Sequence, residues 1–316
     1  MAVCLDGTQA GYYYRPGTGT DADKLIIFFE GGGWCGSDNN CLDRAHGGNL
    51  GSSKAYPPTI PNTGYEGGDG YISGNASLTA WANWGKHGLK AASEVVVSGC
   101  SAGGNSCYIH CDTVAESVSA PVKCICDAGV FQDVVDLTGN RRDRELYGFV
   151  VNSMNSSSSL PIACMPHFPG DPTSCFFAQN IVKTVKSPTF GINSMYNFFA
   201  AEMVTGAFQA EWEKCVPHNG GITPETYAMC NATQKGIIQN FHAEFIHNME
   251  PLWDASTPHG SFFVACPNQH CETSTGWNMV TVSGRLMRDA VADWYFNGTT
   301  VKLVDEPFPS NPTCGY

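Results

Sequence analysis

Glu94-Val-Val-Val-Ser98-Gly-Cys-Ser101-Ala-Gly-Gly104 is the stretch on which the fold turns. Its apolar start, three valines in a row, reads as a strand buried on both faces. Gly99-x-Ser101-x-Gly103 follows at once, and residues from Ala102 to about Val118 carry a helical pattern. A strand that turns sharply into a helix through G-x-S-x-G lifts the serine hydroxyl out of the sheet. The helix N-terminus behind it offers free N–H groups to a developing oxyanion. A plain glycine-rich turn is the blander reading; the strand–turn–helix setting favours a nucleophile at Ser101.

Upstream, Lys24-Leu-Ile-Ile-Phe-Phe29 is a second buried strand, running into Glu30-Gly-Gly-Gly-Trp-Cys35. Consecutive glycines there expose backbone N–H groups where hydrolases of this architecture form the other half of an oxyanion hole. The spacing of Cys35 and Cys41 argues for a stapled loop, and the expected donors are the backbones of Gly33, Trp34 and Ala102. Downstream, strands are expected at Pro121–Cys126, Ser187–Ile192 and Gly260–Ala265, with helices at Asn140–Val151 and Glu225–Met249. Strands alternating with helices and ending in glycine-rich turns give an α/β class with a mostly parallel sheet. No repeat or low-complexity tract divides the 316 residues, so one domain is expected over 1–316.

Composition bounds the function. With 29 acidic against 17 basic residues, a formal charge of −12, generic binding to nucleic acid or anionic membrane is disfavoured. No apolar run reaches the length of a membrane-spanning helix. Fifteen cysteines at irregular spacings fit disulfides in an oxidising compartment better than zinc. Only Cys266, His270 and Cys271 cluster tightly, and no metal or cofactor is expected. N-x-S/T sequons at Asn75, Asn155, Asn231 and Asn297 agree with secretion. Met1-Ala-Val-Cys4 shows no signal-peptide pattern, so a leader is expected to be absent from this chain. Cys107 lies one helical turn before Cys111, and Cys126 two strand residues after Cys124. Rises of about 5.4 Å and about 6.6 Å are comparable, so a second rung, Cys107–Cys126, parallel to Cys111–Cys124 is geometrically possible.

Taken in register, Cys4-Leu-Asp-Gly7, Phe29-Glu-Gly-Gly-Gly-Trp-Cys35, Ser98-Gly-Cys-Ser-Ala-Gly-Gly104, Cys124-Ile-Cys-Asp-Ala-Gly129 and Asp293-Trp-Tyr-Phe296 resemble the pectin acetylesterase family, which is related to the Wnt deacylase Notum. The resemblance runs nearly end to end. It implies a secreted serine carboxylesterase of α/β-hydrolase-like fold, found outside the cell or in the cell wall, acting on acetylated pectin.

The base is expected to follow the last core strand. His270, in Cys266-Pro-Asn-Gln-His-Cys271, fits; His242 and His247 read as surface residues on a polar helix, and His259 is a further alternative. The family's loop is similar, with one residue fewer. Its acid is an aspartate after Asn-Ser-x-Tyr, but this chain has Asn193-Ser-Met-Tyr-Asn197. An amide orients an imidazole without stabilising the imidazolium, so Asp127, at the tip of the neighbouring strand, is the alternative acid; its blander role is to cap the turn at Ala128-Gly129.

A second departure concerns length. Only nine residues separate Trp84 from Glu94, whereas the family has a strand, a Cys-Asp-Gly loop and a helix there. A strand–helix crossover needs about 30 residues. The sheet is therefore expected to lack one central strand–helix unit, exposing apolar sheet surface and costing one cysteine its partner. An inactive relative that keeps the elbow, and a lipid-ester deacylase like Notum, stay open as alternatives; a metal-dependent hydrolase finds no H-E-x-x-H motif. Arg141, Arg142 and Arg144 are the candidates for a basic patch toward acidic pectin, against the plainer reading of a solvated helix face.

Overall fold

The computed structural model describes residues 4–9, 11–46, 51–54, 56–58, 88–197, 212–217, 222–267 and 269–315. Asn75, Trp81 and Trp84 lie outside them. The chain divides into two compact units, Met1–Gly129 with Arg144–Ser187, and Val130–Asp143 with Pro188–Tyr316.

In the first unit, three parallel strands stand in register: β1 (Lys24–Phe29), β2 (Glu94–Cys100) and β3 (Val122–Asp127). Ile27 pairs with Val97, which pairs with Cys124; Cys100 pairs with Asp127. The carboxyl ends of all three strands thus lie side by side, the place where parallel α/β sheets put their ligands. Helix α1 (Asp38–His46) follows the glycine loop after β1, and α2 (Ala102–Ser117) packs on β2 and β3. Two disulfides tie α2 to β3, Cys107–Cys126 and Cys111–Cys124, as helical and strand spacing predict. Cys35–Cys41 staples the loop into α1.

Among the described residues β1 pairs on one side only, with β2. Ile26 is 63% exposed. The expected loss of a strand–helix unit before β2 falls largely on residues 59–87, outside the described residues. Helix α3 (Arg142–Ser153) carries Tyr147, fully buried against Phe176 and Phe177.

The second unit is built on β4 (Thr189–Ser194), β5 (Gly260–Val264) and β8 (Lys302–Val304), again parallel, with a hairpin β6–β7 (Thr281–Val282, Arg285–Leu286). All residues of β4 and β5 are buried, the polar Thr189, Asn193, Ser194 and Ser261 among them. The expected helix over Glu225–Met249 is two helices, α4 (Pro224–Ala228) and α5 (Ala232–Asn248). Thr223 and Asn231 each close a capping box with the residue three positions on, so the chain stops and restarts between them. The last helix, α6 (Met287–Asn297), lays Trp294 against Phe190 of β4.

Fourteen cysteines are disulfide-bonded and Cys4 is free. Replacing Cys111 and Cys124 together by alanine is expected to cost less than the roughly 3 kcal/mol of a lone disulfide of that span. Cys107–Cys126 still closes nearly the same loop, and urea unfolding midpoints of the two proteins measure the difference.

Candidate active site

The first unit supplies a strained serine. Ser101, between β2 and α2, has φ 60° and ψ −124°, a backbone conformation that costs a non-glycine residue about 1–3 kcal/mol. Its N–H donates to the Asp127 carbonyl at 3.0 Å, and its own carbonyl accepts the Asn105 N–H at 2.9 Å. The flanking glycines are required by close approach. A Cβ on Gly103 would overlap the Phe29 carbonyl, and one on Gly104 would overlap that of Asp127. Helix α2 therefore starts directly against the ends of β1 and β3, and the serine is left partly exposed at its head.

The glycine loop lies beside it. A Cβ on Gly31 would stand 3.3 Å from Ser101 Cβ and 3.9 Å from Oγ. Gly32 and Gly33 have φ values of 118° and 67°, open only to glycine without strain. Arg44 Nη1 donates to the Gly32 carbonyl at 2.8 Å. In a trans peptide the next N–H points the opposite way, so Arg44 turns the Gly33 N–H away from itself. Arg44 was not foreseen; nothing in the sequence pattern ties α1 to this peptide. The Trp34 indole meets Tyr147 edge-on at 4.9 Å and Phe176 at 5.9 Å, fixing the loop's far end. Ala102 opens α2, whose first N–H groups have no intrahelical acceptors.

The second unit brings Asn197 and His270 together, side-chain nitrogen to Nδ1 at 2.6 Å. Asn197 is 3% exposed, just past the end of β4. His270 sits in a loop held by Cys266–Cys314 and by Cys271, which is disulfide-bonded and left-handed at φ 60°. Ser194 Oγ donates to the Cys266 carbonyl at 2.8 Å and joins the two loops. An asparagine facing Nδ1 can serve either tautomer. With Oδ1 inward it accepts from Nδ1–H and leaves Nε2 as a base; with Nδ2 inward it donates and Nε2 carries the proton.

The other histidines are accounted for differently. His247 is exposed, as expected. His242 is half-buried: its ring stacks on Tyr196 at 5.0 Å and burial lowers its pKa. His259 is buried, and its Nδ1 accepts the Thr189 N–H at 3.3 Å. His110 is a buried residue of α2 itself, with burial lowering its pKa to about 4. Asp127 is buried, its carbonyl engaged with the elbow. The arginines form no free basic patch: Arg141 and Arg142 pair with Asp133 and Asp136, and Arg144 with Asp171. Among the described residues no group of three or more His, Cys, Asp or Glu is placed to hold a metal ion. No described helix is long and apolar enough to cross a membrane.

Comparison with known proteins places this geometry in context. The model of the family described as pectinacetylesterase matches residues 1–84 and 79–315. Pectin acetylesterase 5 of Arabidopsis thaliana is 28% identical over 367 aligned positions, covering 99% of this chain and 82% of that protein. Pectin acetylesterase 4 of the same plant is 27% identical, covering 99% and 85%. Palmitoleoyl-protein carboxylesterase notum2 of Xenopus laevis is 28% identical, covering 99% and 72%. An alignment of 367 positions exceeds the 316 residues of this chain, so the relative carries residues without a counterpart here. The family match breaks at 79–84, just ahead of the short connection to β2.

Proposed function

The chain belongs to the pectin acetylesterase family and is a carboxylic ester hydrolase; from that premise we propose that one α/β-hydrolase-like domain over 1–316 removes O-acetyl groups from pectin through an acyl-enzyme on Ser101. The observation that carries this reading is the backbone of Ser101, left-handed between a buried strand and a helix.

In the proposed mechanism Ser101 Oγ attacks the acetyl carbonyl while His270 Nε2 takes its proton. The N–H groups of Gly33, Trp34 and Ala102 receive the oxyanion. Collapse of the tetrahedral adduct breaks the ester bond, and His270 returns the proton to the departing sugar oxygen. Water, deprotonated by His270, then attacks the acetyl-serine and releases acetate. Asn197, with Oδ1 inward, keeps the proton on Nδ1; Asp127 is the alternative acid. Fourteen disulfide-bonded cysteines support an oxidising compartment, and with it a secreted, cell-wall location.

Asn197 is the specific observation favouring a slow or inactive relative, because an amide leaves the imidazolium without a counter-charge. A fluorophosphonate probe and two p-nitrophenyl esters separate the readings. The proposal expects a mass shift on the peptide holding Ser101, and kcat/KM at least tenfold higher for the acetate than for the palmitate. Faster palmitate turnover would assign a lipid-ester deacylase; an unlabelled Ser101 in the folded protein would mark a non-catalytic relative.

A further inference from the structure

Tyr196 directly precedes the residue that meets His270, yet its side chain runs the other way. It is 1% exposed. Its hydroxyl donates to Gln239 Oε1 of α5 at 2.8 Å and accepts the Phe308 N–H at 3.1 Å. Gln239 is fixed in turn: its Nε2 donates to Tyr227 Oη at 2.9 Å and to the Phe308 carbonyl at 3.2 Å. His242, one turn along α5, covers the Tyr196 ring with the two planes 4° apart. Backbone contacts complete the grip: the Tyr196 N–H donates to Ser194 Oγ at 3.2 Å, and the Met195 N–H to the Val264 carbonyl at 2.9 Å.

These bonds attach the turn after β4 to three separate parts of the second unit: α4, α5 and the C-terminal segment at Phe308. A phenol with one bond donated and one accepted is held in a single rotamer, and it fixes the φ and ψ values that aim the next side chain. We propose that Tyr196 is a positioning residue, acting through Asn197 to set the place and tautomer of His270. Its hydroxyl, bonded to Gln239 and Phe308, sets the backbone from which Asn197 reaches the ring. The role rests on the esterase reading above, in which His270 is the base.

A double-mutant cycle with p-nitrophenyl acetate tests it. Tyr196→Phe is expected to lower kcat about tenfold at unchanged KM, since small misplacements of catalytic groups cost rate rather than binding. In an Asn197→Ala background the same change is expected to cost less than twofold. An equal tenfold loss in both backgrounds would overturn the proposal, because Tyr196 would then act independently of Asn197. The ring itself gives a readout without turnover. In Ser101→Ala protein with 15N-labelled histidine, Tyr196→Phe is expected to shift the His270 Nδ1 and Nε2 resonances. Gln239→Leu, which removes the acceptor of the same hydroxyl from a different element, is expected to shift them likewise. Unmoved His270 resonances in both variants would overturn the proposal. Should Ser101→Ala hydrolyse the ester as fast as wild type, the esterase reading fails by itself, and the ring shifts alone decide the role of Tyr196.

Discussion

Asn197→Asp is expected to raise kcat on p-nitrophenyl acetate by about 10³- to 10⁴-fold with little change in KM, the reverse of a loss of about 10⁴ when a serine protease exchanges its aspartate for asparagine. Two physical effects add. A carboxylate beside Nδ1 stabilises the imidazolium that forms as Ser101 attacks. It also accepts only, so the proton stays on Nδ1 and Nε2 is always the base, whereas the amide at 2.6 Å has a donating end as well. The new charge favours the protonated ring, so the acid limb of kcat/KM is expected to move to higher pH. A pH series on both proteins measures rate and limb together. No gain in rate would mean that another group already serves as the acid, with Asp127 the first to replace by asparagine.

Ser101→Ala gives the second large effect, and its size depends on residue 197. Members of a catalytic triad act as a unit: removing the serine alone costs about 2 × 10⁶ in kcat in a complete triad, but much of that is already lost when the acid is gone. The expected loss is therefore about 10² in the natural sequence and about 10⁶ in the Asn197→Asp background. Equal losses in the two backgrounds would show that Asn197 and Ser101 do not belong to one site. Alanine at φ 60° is as strained as serine, so the fold is expected to survive unchanged. Ser101→Gly relieves that strain and is expected to stabilise the protein by about 1 kcal/mol while being equally inactive; denaturant midpoints compare the two.

The elbow was legible because each level agrees on it: three valines for a buried strand, glycines where α2 meets β1 and β3, and a serine between. The second rung between α2 and β3 was legible for a similar reason, since helical and strand spacings let Cys107–Cys126 form beside Cys111–Cys124. The break between α4 and α5 was written in the sequence too, as Asn231-x-x-Gln234, and was missed because the apolar pattern runs on through it. β8 is three residues long and carries no signal apart from its neighbours. His242 looked solvated because residues around it on α5 are polar; the ring covering it, Tyr196, lies 46 positions earlier in the chain. Arg44 and Ser194 act through hydrogen bonds to backbone carbonyls elsewhere in the chain, which no spacing rule anticipates.

The nested rungs have a consequence for how the chain is made. Most of its disulfides join near neighbours, Cys35–Cys41, Cys164–Cys175 and Cys215–Cys230 among them, so each partner follows its mate closely as the chain is synthesised. Cys107 and Cys111 break that order. They emerge together, one helical turn apart, while Cys124 and Cys126 are still to come, and the first bond within reach is the wrong one. Helix α2 and Ser101 at its head are then expected to wait on an exchange of partners, a step of seconds to hours that thiol–disulfide isomerases hasten. Yield is accordingly expected to rise more with the reshuffling capacity of the host than with its oxidising power, which expression with and without a co-produced disulfide isomerase measures.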